Sequence, residues 1–117
     1  MLKIRVHIEN EDTFMDENVF VDITLPAVPR KGDTLYLTEE AQTELENKAK
    51  SNLKIAVSYA PLWFYGHSRK HLSEIKEWDD DTLKPEHLKD LSFDDANCVS
   101  AVAFDANSDI VHVELNM

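Results

Sequence analysis

The chain opens on strict alternation. Leu2, Ile4, Val6 and Ile8 hold one parity, and Lys3, Arg5, His7 and Glu9 hold the other. That is the pattern of a strand with one buried and one wet face. Val19, Val21, Ile23 and Leu25 repeat the period after a polar, acidic stretch over residues 10–18 that contains Phe14 and Met15. The two runs predict an antiparallel hairpin. Residues 25–37 then read as a strand end, a proline-stiffened corner, a Gly-Asp turn and a short strand over 34–37. Pro26 and Pro29 fix φ and bias Leu25 and Val28 towards extended geometry. Gly32 sits where the turn asks for positive φ, and Asp33 offers an acceptor to a nearby backbone N–H.

From Thr38 the period changes. A hydroxyl cap precedes Glu39 and Glu40, Ala41, Leu45 and Ala49 recur every four residues, and Lys48 and Lys50 close the run. Cap and charges suit a helix dipole over residues 39–50, with a narrow apolar stripe. Residues 53–60 alternate again, Leu53, Ile55, Val57 and Tyr59 against Lys54, Ala56, Ser58 and Ala60, and predict a strand stopped by Pro61. Residues 61–97 are the least regular and read as an insertion in a single domain spanning 1–117. Within it, Pro85, Leu88 and Leu91 suit a short helix over 85–91. Residues 98–104 and 110–115 form a last hairpin around the polar link 105–109. The fold expected is α+β and mainly antiparallel: a small barrel or strongly bent sheet with one helix and an irregular insertion, since closure removes exposed edges.

The run Pro29-Arg30-Lys31-Gly32-Asp33 between strands, with the Val-rich terminal pair, resembles short bacterial and phage-associated proteins of unassigned function. These have a Pro-Arg-x-Gly-Asp turn and a small SH3-like β-barrel. The resemblance covers residues 2–37 and 98–115 and omits the middle third. It implies a fold, with Pro29, Gly32 and Asp33 as its structural turn, and no catalytic residues.

Composition narrows the function. The formal net charge is −11, a field that repels phosphate backbones and anionic headgroups. Direct nucleic-acid binding and membrane-surface binding are therefore not expected, and no stretch has the length of a bilayer span. One cysteine, Cys98, cannot form an internal disulfide, and a cytoplasmic setting is expected. Two glycines are too few for a phosphate-cradling loop, and no G-x-S-x-G elbow is present. No cofactor is implied.

Three stretches carry candidate chemistry. Trp63, Phe64 and Tyr65 are consecutive aromatics; on an extended backbone their side chains alternate, so they cannot all enter one core. With Trp78 and the acidic run Asp79, Asp80 and Asp81 they suggest an aromatic patch rimmed by acid. Such a patch suits a basic protein partner; the plainer reading is that the aromatics cap the core. His67 and His71 are four apart, a metal-ligand spacing on a helix, with Glu74, Glu77 and Asp79 downstream. Arg69 and Lys70 between them oppose a cation, and the Glu of the zinc-protease pattern is missing. Cys98, entering an apolar strand, reads as a small buried hydrophobe. The leading expectation is a non-enzymatic protein-interaction module with a basic partner. Two others stay open: a small metal-dependent hydrolase using His67 and His71, and an acidic nucleic-acid mimic that occupies a DNA-binding protein.

Overall fold

The computed structural model describes residues 1–10, 13–51, 55–56, 59, 63–64, 67–68 and 92–116, with 63–64 and 67–68 described by their backbone. Strand β1 (Leu2–Ile8) pairs antiparallel with β2 (Phe20–Leu25), from Leu2 against Leu25 to His7 against Phe20. Helix α1 (Glu39–Lys50) follows, then the two-residue strands β3 (Trp63–Phe64) and β4 (His67–Ser68), then the hairpin of β5 (Cys98–Phe104) and β6 (Val111–Asn116).

The two hairpins meet through their inner strands. Ile4 lies beside Val111 and Ile8 beside Leu115 in a parallel pairing of β1 with β6, giving the order β2-β1-β6-β5. The fold is therefore α+β and mainly strand, but the sheet is mixed rather than antiparallel, and among the described residues it is not closed. Hairpin propensity is local and legible; the parallel pairing joins segments that no turn connects.

The corner reaches the far edge. Asp33 N–H donates to the Arg30 carbonyl at 2.9 Å, closing a β-turn, and the Asp33 carboxylate accepts from Arg30 N–H at 2.7 Å. Gly32 at its third position has φ 94°, the left-handed value such a turn requires. Gly32 N–H then donates to the Val99 carbonyl, Val99 N–H to the Asp33 carbonyl, and Leu35 N–H to the Asn97 carbonyl. The short strand expected over 34–37 reduces to a single bridge, Thr34 to Cys98, set in this run of bonds.

Helix α1 has the cap and charges its sequence prescribes. Thr38 Oγ1 accepts from Ala41 N–H at 3.1 Å, and Ala41, Leu45 and Ala49 are buried. They pack with Ile4, Val6, Ile8, Val21, Val113 and Leu115 on one face of the sheet. Ala56, Tyr59, Phe93 and Ala96 complete that core. The Tyr59 and Phe93 rings meet edge to face at 5.6 Å. Residues Ile55, Ala56 and Tyr59 have helical backbone, not the strand that alternation over 53–60 suggests. The run also carries a three-residue spacing, Ala56 and Tyr59, and it is these two that are buried. A short apolar run satisfies both periods, and packing selects between them.

Candidate functional site

The second face of the sheet is where polar chemistry collects. Alternation assigns His7, His112 and Glu114 to the wet side, yet His7 is 1% exposed and Glu114 6%. The cover is the link between β1 and β2. Its residues 13–19 fold back as a strap, with Asp16 6% exposed. His7 Nδ1 lies 3.0 Å from the Asp16 carbonyl, and Met15 N–H donates to Glu114 Oε2 at 3.3 Å. Asp16 turns its own carboxylate onto Asn18 N–H at 2.8 Å. Met15 has φ 49°, a left-handed value that an unbranched non-glycine residue adopts at a cost of about 1–2 kcal/mol.

The proton positions follow from the partners. A carbonyl oxygen only accepts, so His7 carries its proton on Nδ1 and leaves Nε2 as an acceptor. His7 Nε2 lies 2.9 Å from His112 Nδ1, and the rings are stacked 5.2 Å apart. His112 therefore donates from Nδ1. The result is a directed chain, His112 to His7 to the Asp16 carbonyl. Burial pushes the His7 pKa down; the Asp16 carbonyl opposes that, while His112 and Arg5 add to it.

A β-bulge completes the site. Val99 pairs with Leu115 and Ala101 with Glu114, so Ser100 is the extra residue. Bulges re-aim side chains, and the Ser100 hydroxyl lies 3.1 Å from the Glu114 carbonyl and 3.3 Å from Glu114 Oε1. The buried Tyr59 hydroxyl lies beside Asn10 and Asp16, and burial pushes its pKa up to about 12. Next to His7 on β2, Phe20 holds its ring 4.1 Å from the Arg5 guanidinium and 4.4 Å from the Lys48 ammonium. Arg5 forms a two-pronged pair with Asp22, at 2.9 and 3.2 Å. That pairing holds the Asp22 carboxyl below its usual range.

A different surface gathers charge. Glu39, Glu40 and Glu44 line the exposed side of α1. The turn at 92–95 docks on the same helix at Gln42 and Glu46, through Phe93 N–H to Glu46 Oε2 at 2.9 Å and Gln42 to Asp94. Exposed Asp94 and Asp95 thus extend the acid of the helix. An apolar groove of about 380 Å³ lies at the corner, lined by Leu25, Pro26, Val28, Pro29 and Leu35.

The residues singled out by sequence fall elsewhere. Trp63 and Phe64 form β3, and Phe64 pairs with His67 in β4. The backbone at His67 is extended, so the helical face that a His67–His71 spacing needs is missing at its first member. Tyr65, His71, Glu74, Glu77, Trp78, Asp79, Asp80 and Asp81 lie outside the described residues. Among the described residues no group of His, Cys, Asp and Glu is arranged to hold a metal ion, and no helix is long and apolar enough to cross a membrane. Cys98 is exposed rather than buried, because Val99 takes the inward position where β5 begins. Sequence reasoning missed the His7, His112 and Glu114 cluster; its members become neighbours through the parallel pairing, for which neither strand carries a local signal. No protein-family model, curated protein or solved structure matches the chain.

Proposed function

We propose that the protein is a non-enzymatic interaction module that docks a basic protein partner in the cytoplasm. The observation that carries this reading is the exposed acid of α1 and of the 92–95 turn docked on it, Glu39, Glu40, Glu44, Asp94 and Asp95. Among the described residues Lys48 offsets only Glu44, at 3.7 Å, while its ammonium is held by the Phe20 carbonyl at 2.7 Å. A field of one sign attracts the opposite sign and speeds encounter. Trp63, Phe64, Tyr65, Trp78, Asp79, Asp80 and Asp81 belong to the proposed binding surface on sequence grounds, as aromatic anchors with an acidic rim. The resemblance to short bacterial and phage-associated proteins with an SH3-like barrel belongs to the same proposal, supported by the pinned turn at Pro29, Gly32 and Asp33.

The test is affinity capture from nuclease-treated lysate with wild type, the triple variant Glu39→Gln/Glu40→Gln/Glu44→Gln and the double variant Trp63→Ala/Phe64→Ala. A basic protein retained by wild type, released by salt and lost from both folded variants supports the module. Equal capture by all three overturns the proposed surface.

A further inference from the structure

The buried polar cluster does more than fill the second face of the sheet. The strap over residues 13–19 is fastened to the sheet by two side-chain bonds. One comes from His7 to the Asp16 carbonyl, the other from Met15 N–H to Glu114. Both anchors sit on the two central strands, where His7 is paired with Glu114. Opening the strap would uncover His7, Asp16 and Glu114 together.

We propose that the His7–His112 pair is a proton-operated latch, in which protonation of His7 releases the 13–19 strap and bares the polar face of the sheet. The geometry gives the reason. His7 Nδ1 is committed as a donor, so its only basic atom is Nε2, and that lone pair already receives the His112 Nδ1 proton across 2.9 Å. A proton added at His112 Nε2 leaves this bond in place. A further proton from solvent at His7 Nε2 sets two donors against each other, and the bond must break. The new cation would be 1% exposed, and a charge buried without water is costly.

The surroundings divide on this cation. Arg5 on β1 and His112 on β6 oppose it, while Asp16 on the strap favours it; Glu114 on β6, paired with His7, has its carboxylate at Met15 N–H and the Ser100 hydroxyl. On β2, Asp22 is spent on Arg5, and Phe20 presents its ring 6.2 Å from His7. Lys48 of α1 is held at Phe20, and the Tyr59 hydroxyl lies on the Asp16 side. The bond from His7 Nδ1 to the Asp16 carbonyl survives protonation, so it is hydration of the buried cation that drives the strap open. The left-handed Met15, relaxed on opening, biases the strap the same way.

Hydrogen exchange of the Met15 amide, corrected for intrinsic rate, reads the latch. It donates to Glu114 across the gap between strap and sheet when the strap is closed. Release coupled to one proton raises the opening equilibrium by up to about tenfold for each unit of pH lost between the ordinary histidine value and the lowered value His7 has under the closed strap. The variant His7→Asn keeps a donor for the Asp16 carbonyl and cannot titrate, so its opening stays flat across the same range. The same slope in both proteins overturns the latch. Ring ¹⁵N spectra of the wild type test it without a variant. Protons on Nδ1 of both His7 and His112 at neutral pH support it, and a proton on Nε2 of neutral His7 overturns it.

Discussion

Lys48 in the last turn of α1 reaches the first residue of β2: its ammonium donates to the Phe20 carbonyl at 2.7 Å and stands 4.4 Å from the centre of the Phe20 ring. One side chain thus complements the helix dipole, satisfies an edge carbonyl and joins helix to sheet. Its contact with Glu44 at 3.7 Å is exposed and adds little. Lys48→Met keeps the stem and removes the charge. Urea denaturation is expected to show a loss of about 1–2 kcal/mol, from the charge-assisted bond and the cation–π contact.

The N-cap at the other end of α1 is separable. Thr38→Ala removes the acceptor for Ala41 N–H and is expected to cost about 1 kcal/mol. Thr38→Ser is expected to restore most of it, measured in the same denaturation series.

Helix α1 was fully legible because everything that defines it is local. Its cap, its dipole charges and its four-residue stripe all lie between Thr38 and Lys50. His7 was not legible. Alternation assigns a face, but whether that face is wet depends on where residues 13–19 fold. The parallel partner of β1, over 100 positions away, likewise leaves no mark on β1. Residues 53–60 failed for a third reason: their apolar positions fit two periods, and only the burial of Ala56 and Tyr59 decides between them.

Gly32 tests backbone strain without steric confusion. A Cβ placed there meets no atom within 4 Å, while φ is +94°. Gly32→Ala is therefore expected to cost about 1–2 kcal/mol through conformation alone. Thermal unfolding measures this, and the crystal structure of the variant is expected to keep the Gly32–Val99 bond.

Acid reads His7 through stability. Its folded pKa lies below the ordinary value of 6.5, so between the two values the unfolded chain binds the extra proton. Stability is then full above about pH 6.5 and falls as pH drops towards the folded pKa, by at most about 1.4 kcal/mol per unit. Denaturation of wild type and His7→Asn between pH 7.5 and 5 is expected to show this slope in the difference between them.

Base reads Tyr59. Its folded pKa, about 12, stands above the ordinary 10. Between these values the unfolded chain loses the phenolic proton first, so stability falls as pH rises through that window. Ultraviolet titration is expected to show a phenol ionising near pH 12, absent from Tyr59→Phe.

The parallel contact of β1 with β6 also sets an order of events. His7 and His112 are 105 positions apart. The seam at the middle of the sheet therefore cannot close while the chain is being synthesised until β6 has left the ribosome. Until then β1 has its hairpin partner on one side and an open row of amides and carbonyls on the other. Such an edge invites other strands, and long-range pairing forms slowly. The nascent chain must keep the centre of its own sheet unoccupied, and a stall before Val111 would leave that centre exposed as an edge.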